Sequence, residues 1–169
     1  MQLLVDASPL YNLGQIGELD LLDAPDAELV IPSAVVDEIT VEPAATNLDR
    51  LLAESEVTTE PDVEEFLEDA RGLLDEGAET SDVILVAVLL AAREEDEEVV
   101  LVTEDKRLRA IAEGLGATVT SSFGLTVRAS IDDKYFSVTQ AKRVIRRMDH
   151  HGTQMTGRLR ERAIGEVDS

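Results

Sequence analysis

Short apolar runs alternate with longer segments of helical periodicity along this chain. Four runs rich in valine, leucine or threonine are predicted to be strands: Gln2–Val5, Glu28–Ile31, Val99–Thr103 and Thr118–Thr120. Between them, apolar residues recur every three or four positions, the spacing of a buried helical face. Strands that alternate with helices form parallel sheets with right-handed crossovers. The pattern therefore predicts an α/β fold with a central parallel sheet of four to five strands and helices on both faces.

Four helices are predicted after the second strand, over residues 32–39, 62–75, 80–95 and 106–113. Pro32 is expected at the first position of its helix, where the missing N–H breaks no helical hydrogen bond. The helix at 62–75 carries one apolar stripe, made of Val63, Phe66, Leu67, Ala70, Leu73 and Leu74. The helix at 80–95 begins with Thr80 or Ser81 as its N-cap and is apolar on nearly every face. It is therefore expected to be the most buried helix of the fold.

The pattern is purely helical beyond the last predicted strand. Residues 138–151 are expected to direct four apolar side chains toward the core, those of Ala141, Val144, Ile145 and Met148. Residues 156–165 are predicted to be a last, weaker helix. We expect residues 1–131 to form the main domain and residues 132–169 to form a C-terminal helical extension packed on it.

Charge is distributed unevenly along the chain. The 169 residues include 36 acidic and 15 basic side chains, a net charge of −21. Such an acid-rich and lysine-poor composition resembles that of proteins from salt-loving organisms, in which concentrated salt screens self-repulsion. Net charge alone argues against binding to nucleic acid. Residues 134–169, however, contain eight basic residues against four acidic ones, and this asymmetry reopens that question.

Several protein classes are excluded by composition. The chain contains no cysteine, so it has neither disulfides nor thiolate metal sites. No apolar stretch approaches the roughly 20 residues that are needed to span a bilayer. The N-terminus starts with strand material and lacks the basic segment of a signal peptide. We therefore expect a cytoplasmic protein with no membrane partner.

Four acidic residues are expected where a parallel sheet gathers ligands, beyond the carboxyl ends of its strands and where the strand order reverses. Asp6 directly follows the first strand, and Asp105 lies two residues beyond Thr103 at the end of the third. Glu38 is predicted about two turns into the helix after the second strand. Asp82 is predicted in the first turn of the buried helix.

Each of these acids also has a structural interpretation. Asp105 can be a helix N-cap, and Asp82 can complement a helix dipole. Glu38 can be an ordinary surface residue. Asp6 is harder to explain in this way, because its neighbour Ser8 is expected to be the better cap of the following helix.

Taken together, the four acids predict a metal site. Carboxylates that converge on one place repel one another and raise one another's pKa values. A hard divalent cation neutralises such a cluster, and an all-oxygen ligand set favours Mg²⁺ or Mn²⁺ over zinc. These ions activate water and stabilise charge during phosphodiester hydrolysis. The acids therefore indicate a metal-dependent hydrolase.

Four motifs carry a resemblance to a known family. They are VDAS at 5–8, IPSAVVDEI at 31–39, TSDVILVAVLLA at 80–91 and LVTEDKRLRAIAEGLG at 101–116. In their order and spacing they resemble PIN domains, the family of metal-dependent ribonucleases that includes the VapC-type toxins. The resemblance extends from residue 2 to about residue 131.

The resemblance implies a three-layer α/β/α fold with four metal-binding, catalytic acids: Asp6, Glu38, Asp82 and Asp105. It also implies that Ser8 and Thr103 support these acids through hydrogen bonds. The stretch GAETSD at 77–82 departs from the Gly-Glu-Ala-Glu-like stretch that we expect in the similar branch, so Glu79 competes with Asp82 for the third position. Glu104 is not expected to bind the metal, because its side chain should face away from Asp105.

The resemblance further implies hydrolysis of RNA and, for a toxin–antitoxin pair, a small antitoxin that blocks the acidic pocket. PIN domains also commonly form homodimers. One predicted helix is expected to hold the RNA backbone through Lys142, Arg143, Arg146 and Arg147. These residues can instead form a solvated face that pairs with the acidic body. The alternative function is a catalytically silent PIN-like module that binds RNA or a protein.

Overall fold

Five parallel strands form one sheet. The computed structural model describes residues 1–23, 26–131 and 137–150. Within these ranges the strands are β1 (Gln2–Val5), β2 (Glu28–Val30), β3 (Val57–Thr58), β4 (Val99–Val102) and β5 (Thr118–Thr120). All four predicted strands are present, although β2 and β4 each end one residue earlier than expected.

The strand order is β3-β2-β1-β4-β5, with β1 at the centre. Leu4 of β1 is in register with Val30 of β2 on one side and with Leu101 of β4 on the other. The chain moves outward through β2 and β3 and then returns to the opposite side of β1. The order of the strands therefore reverses between β1 and β4, which creates a crevice at their carboxyl ends.

Helices cover the sheet on both faces. In the described residues they are α1 (Ala7–Gln15), α2 (Ser33–Val36), α3 (Ala44–Glu54), α4 (Leu67–Leu74), α5 (Ser81–Glu94), α6 (Lys106–Gly114), α7 (Ser122–Ile131) and α8 (Val138–His150). Contacts link α1, α3, α7 and α8 into one layer, and α5 with α2, α4 and α6 into the other. The expected three-layer α/β/α architecture is thus confirmed. As predicted, α5 is largely buried.

Two predicted helices differ from the structure. The helix expected at 32–39 is a single turn, α2, with Pro32 at its N-cap position rather than inside it. The helix expected at 62–75 starts as a 3₁₀ turn at Glu64–Phe66 and becomes α-helical only at Leu67. Its buried face is also narrower than predicted, because Leu73 is 50% exposed.

Two elements, β3 and α3, were not predicted. The β3 strand has only two residues and exists through its pairing with β2, so it leaves no periodic signal. The α3 helix packs closely against the end of α1. A Cβ atom on Gly14 would lie 2.8 Å from the Cβ of Ala44, so only glycine allows this approach. Asn47 Nδ2 donates to Gly14 O at 2.8 Å and fixes the contact.

The C-terminal helix α8 belongs to the core. Its four predicted core residues, Ala141, Val144, Ile145 and Met148, are all buried, and the helix packs against α7. The helix predicted at 156–165 lies outside the described residues. None of the helices in the described ranges has the length and apolar character needed to cross a membrane.

Candidate active site

Asp6 ends β1 and begins α1. Its N–H donates to Val102 O at 3.0 Å, which continues the hydrogen bonding of the sheet one residue beyond the strand. Its Oδ1 accepts from Ala7 N at 2.7 Å, so Asp6 is itself the N-cap of α1. The expectation that Ser8 caps this helix is wrong. The extended backbone of Asp6 (φ −81°, ψ 169°) places its carboxylate beside the first helical amide, whereas Ser8 already lies in the exposed first turn.

Thr103 connects the ends of the two central strands. Its side chain is fully buried, and its Oγ1 donates to Asp6 Oδ2 at 2.8 Å. The same oxygen accepts from Asp105 N at 3.0 Å. Because a hydroxyl has one hydrogen, which here is given to Asp6, this geometry suits an ionised Asp6 carboxylate. Thr103 therefore supports Asp6 directly and positions Asp105 through its backbone.

Asp6 is the most buried of the predicted site acids, with 7% exposure. Burial raises the pKa of its carboxyl group above the ordinary value of 3.8. The hydrogen bonds from Thr103 and Ala7 lower this pKa without offsetting the effect of burial, and the charge of Asp105 raises it further. Asp6 is therefore a carboxylate for which the charged form is unfavourable until an opposite charge arrives.

Asp105 is the N-cap of α6 and is exposed at the mouth of the crevice. Its Oδ1 accepts from Arg107 N at 2.8 Å and from Leu108 N at 3.0 Å. Among the described residues no hydrogen bond reaches its Oδ2. The capping interpretation of Asp105 is thus correct, yet it occupies only one of the two oxygens. The other oxygen remains available to a cation.

Asp82 lies half-buried in the first turn of α5, two residues after the N-cap Thr80. Burial raises the pKa of Asp82, which reaches about 6. Four neighbouring carboxylates contribute to this rise, those of Asp6, Asp105, Glu76 and Glu38. Asp82 therefore lies in the electrostatic field of the acids from all three other segments that were predicted to contribute to the site.

Glu38 reaches this region from a different local structure than predicted. It lies just beyond α2, in a turn where Glu38 N donates to Val35 O at 3.1 Å. The prediction that it lies two turns into a helix is therefore wrong. The segment that follows, Ile39–Val41, is β-branched and gives little support to a continuing helix. Glu38 and Ser8 are both exposed, and they line the same surface pocket.

Glu76 is a site residue that the sequence did not reveal. Thr80 Oγ1 donates to Glu76 Oε2 at 2.6 Å, and Arg107 Nη1 lies 3.8 Å from Glu76 Oε1. Arg107 also donates to Leu74 O. The pair thereby ties the loop that precedes Asp82 to the first turn of α6. No periodic signal marks Glu76, since it follows the end of α4 and precedes Gly77.

Two further acids point elsewhere. Glu79 lies 3.7 Å from Arg71 Nη2, and it is absent from the charges that raise the pKa of Asp82. Glu104 accepts from Ser122 N at 2.9 Å and from its hydroxyl at 2.5 Å, so it faces away from Asp105 as expected. Of the two candidates for the third acid, Asp82 is the one in the electrostatic neighbourhood of the others.

One basic residue of α8, Arg147, lies near the opposite end of α1. Arg147 donates to Ile16 O and its Nη1 lies 3.5 Å from Glu18 Oε1. Because α1 runs back along the sheet from Asp6, Ile16 and Glu18 are at the edge away from the site acids. Arg147 therefore pairs with the acidic body, whereas Arg143 and Arg146 are exposed. Lys142 is partly buried and also makes an interaction.

The donor chemistry of the crevice suits a hard divalent cation. The four predicted acids offer only oxygen ligands, Asp105 retains an unused oxygen, and the like charges around Asp82 favour a compensating positive charge. Their side chains are nevertheless not drawn together: in the described part of the chain, no three acidic or histidine residues form a group that could hold a metal ion. The acids thus share an electrostatic region without forming a closed ligand cage.

These features define a parallel α/β protein with acidic side chains at its topological switch point. The chain belongs to the PIN-domain family, since the family model DUF3368, a PIN domain, matches residues 2–169. The match continues past residue 131, where the resemblance of the motifs ended, and includes the helix α8. PIN domains are generally nucleases that use divalent metals, which supports a hydrolase. No curated protein sequence matches the chain.

Proposed function

We propose that the protein is a metal-dependent endoribonuclease that hydrolyses RNA phosphodiester bonds with Mg²⁺ or Mn²⁺. One observation supports the proposal: the charges of Asp6, Asp105 and Glu38, each from a different segment, all raise the pKa of Asp82. Without a cation such a convergence is unfavourable, because each carboxylate raises the proton affinity of the next. A divalent ion would compensate these negative charges and would bind a phosphate of the RNA.

Each residue of the crevice has a distinct task in this proposal. Asp6 and Asp105 hold the cation from the ends of the two central strands, and Thr103 keeps both in position. Asp82 and Glu38 complete the ligand set from the helix α5 and from the turn after α2. The bound ion supplies an activated water and stabilises negative charge on the phosphate. Glu76 and Arg107 position the start of α5 relative to α6.

A second candidate function is a PIN-like module that binds RNA or a protein without turnover. It is favoured by the open arrangement of the acids, which form no ligand group among the described residues. Under this alternative the crevice still binds its partner, but divalent metal has no effect on the RNA. The two functions are thus separated by metal-dependent cleavage.

The decisive experiment is RNA cleavage with Mn²⁺, comparing the native chain with Asp6→Asn. We expect Asp6→Asn to reduce the rate about 1,000-fold, since a metal ion contributes several kcal/mol to the transition state. Asp37→Asn removes the same charge from an exposed residue beside Glu38 and is expected to retain activity. Equal rates for the native chain and Asp6→Asn would contradict the proposal. Proper folding without any cleavage by the native chain would support the silent module.

We further propose that the protein acts in the cytoplasm, as the toxin of a toxin–antitoxin pair, with a small antitoxin that covers the acidic crevice. A homodimer is its proposed assembly. Support comes from the resemblance to VapC-type toxins in the four motifs. A short upstream gene that encodes a DNA-binding pattern would support the toxin role, and co-purification of its product would test the pairing. Growth that is unaffected by expression of the native chain would argue for a housekeeping nuclease.

A further inference from the structure

A pocket of about 220 Å³ opens beside the acidic crevice, between the start of α1 and the segment after α2. Its lining includes Ser8, Tyr11 and Asn12 from α1, and Glu38, Thr40 and Val41 from the facing segment. Glu38 thus belongs both to this pocket and to the group of acids around Asp82. Ala7, the residue that follows Asp6, also lines the pocket, so the pocket borders the proposed site of phosphodiester hydrolysis.

Two apolar side chains of this pocket are left open to water. Tyr11 is 38% exposed and Val41 is 51% exposed. Among the described aromatic residues Tyr11 alone is exposed, since Phe66 is partly buried and Phe123 is buried. An exposed ring on a rigid helix beside a cleft is a surface on which a planar ligand can stack.

The polar groups of the pocket suit an uncharged ligand. Among the described residues, Glu38 is the only charged residue in its lining, and no basic side chain contributes. The Asn12 carboxamide makes no hydrogen bond within the described part of the chain, and it offers both donors and an acceptor. A phosphate would be repelled by Glu38 here, whereas a neutral base edge can pair with the amide.

We propose that this pocket binds one unpaired nucleobase of the RNA, stacked on Tyr11 and hydrogen-bonded by Asn12. The inference rests on the proposed function, because the bound base belongs to the same RNA whose phosphate lies at the acids. Tyr11 lies five residues beyond Asp6, a helical rise of about 7.5 Å. The proposal requires a base next to the reacting phosphate to span this rise and to reach the ring. The pocket thereby selects RNA segments in which that base is unstacked.

The experiment measures binding of RNA that remains intact. The Asp6→Asn chain with Mn²⁺ is titrated into a fluorescent single-stranded oligoribonucleotide, and into a series that carries one abasic nucleotide at successive positions. We expect one abasic position to weaken binding roughly tenfold, as for a lost base–aromatic stack. Adding Tyr11→Leu should weaken binding of the intact RNA by a similar factor and remove the sensitivity to that abasic position.

Matched variants separate stacking from general effects. Tyr11→Phe keeps the ring and should bind like the Asp6→Asn parent, while Leu73→Ala changes another exposed apolar residue, on α4, and should have no effect. Asn12→Ala should reduce the difference among the four bases at the sensitive position. Circular dichroism confirms that each variant is folded.

The inference would be overturned if Tyr11→Leu bound the intact and the abasic RNAs as its parent does. Failure to bind any RNA would overturn it too, whereas the proposed function is judged separately, by cleavage in chains with native Asp6. Sedimentation provides the remaining outcome. Self-association that Tyr11→Leu abolishes, with RNA binding unchanged, would show that a second copy of the chain covers the pocket and would also overturn the inference.

Discussion

The two ends of α1 differ in whether a positive charge lies beside the buried acid. At the far end, burial raises the pKa of Glu18, but Arg147 at 3.5 Å opposes this rise. At the crevice, burial raises the pKa of Asp6, the N-cap of α1, and the charge of Asp105 raises it further. The protein thus places a basic side chain beside the acid at one end of the helix, whereas no basic side chain of the described residues lowers the pKa of Asp6 at the other end. Uncompensated charge in a cleft is a mark of a functional site.

Of the changes that test this comparison, removal of the Thr103 hydroxyl should have the largest effect on activity. Thr103→Val leaves Asp6 Oδ2 and Asp105 N without their partner, and we expect kcat/KM to fall about 10- to 100-fold, as for other groups that support metal ligands. The free energy of unfolding should fall by about 1–3 kcal/mol. Thr103→Ser restores the hydroxyl and should recover activity.

Thr126→Val is the matched control for this prediction. Thr126 is equally buried, but its hydroxyl donates to Ser122 O within α7, away from the acids. This variant should lose stability without a comparable loss of activity. If both variants lost activity in proportion to stability, the role of Thr103 would be general packing rather than support of Asp6.

Binding of Mn²⁺ should stabilise the folded chain. At a concentration of 100 times Kd, one bound ion adds about 2.7 kcal/mol to the free energy of unfolding. For a chain of this length, that corresponds to a rise in Tm of about 5–10 °C. Asp82→Asn should lose most of this rise, whereas Glu79→Gln should keep it because Glu79 pairs with Arg71. An equal response of both variants in a thermal melt would indicate unspecific binding to the acidic surface.

The pH dependence of stability should show directly how unfavourable the charged form of Asp82 is in the folded protein. The pKa of Asp82 is about 6 in the folded chain and 3.8 in the reference state, so the folded state binds its proton more tightly. As the pH rises from about 4 to about 6, the free energy of unfolding of the metal-free protein should therefore decrease through this residue. Chemical denaturation of the native chain and of Asp82→Asn, compared across this range, isolates the effect. A constant difference between the two would contradict it.

The smallest effect is expected at the far end of α1. Arg147→Gln removes the partner of Glu18, and for a partly exposed pair we expect a loss of less than about 1 kcal/mol in denaturant unfolding. Arg143→Gln should leave stability unchanged, since Arg143 is exposed. If α8 holds the RNA backbone, Arg143→Gln should instead reduce the salt dependence of RNA binding. Unaltered binding in both variants would remove α8 from the RNA interface.

The elements with a strong hydrophobic pattern could be predicted from the sequence. β1, β4 and α5 are apolar enough to be recognised without their partners, and the position of Asp6 and Asp105 follows from where those strands end. Elements that depend on tertiary contacts were not recognised. The two residues of β3 form a strand only beside β2, and α2 ends too early for Glu38 to lie on a helix.

The same distinction applies to the site. Asp82 could be predicted because it opens a conspicuous helix, whereas Glu76 lies in a loop and gains its role only when Arg107 of a distant helix approaches it. The sequence allowed for pairing of the basic residues of α8 with the acidic body, but it did not identify Glu18 as the partner of Arg147, because the two lie 129 positions apart.

The close approach of Gly14 to Ala44 makes α1 a stiff rod clamped at one end. Its other end carries Asp6, and Tyr11 lies between the two. A larger residue at position 14 would push the clamped end away from α3 and tilt the rod, which would displace the carboxylate and the aromatic ring together. The rate of turnover would thus depend on the size of the side chain at position 14, more than two helical turns away from the reacting groups.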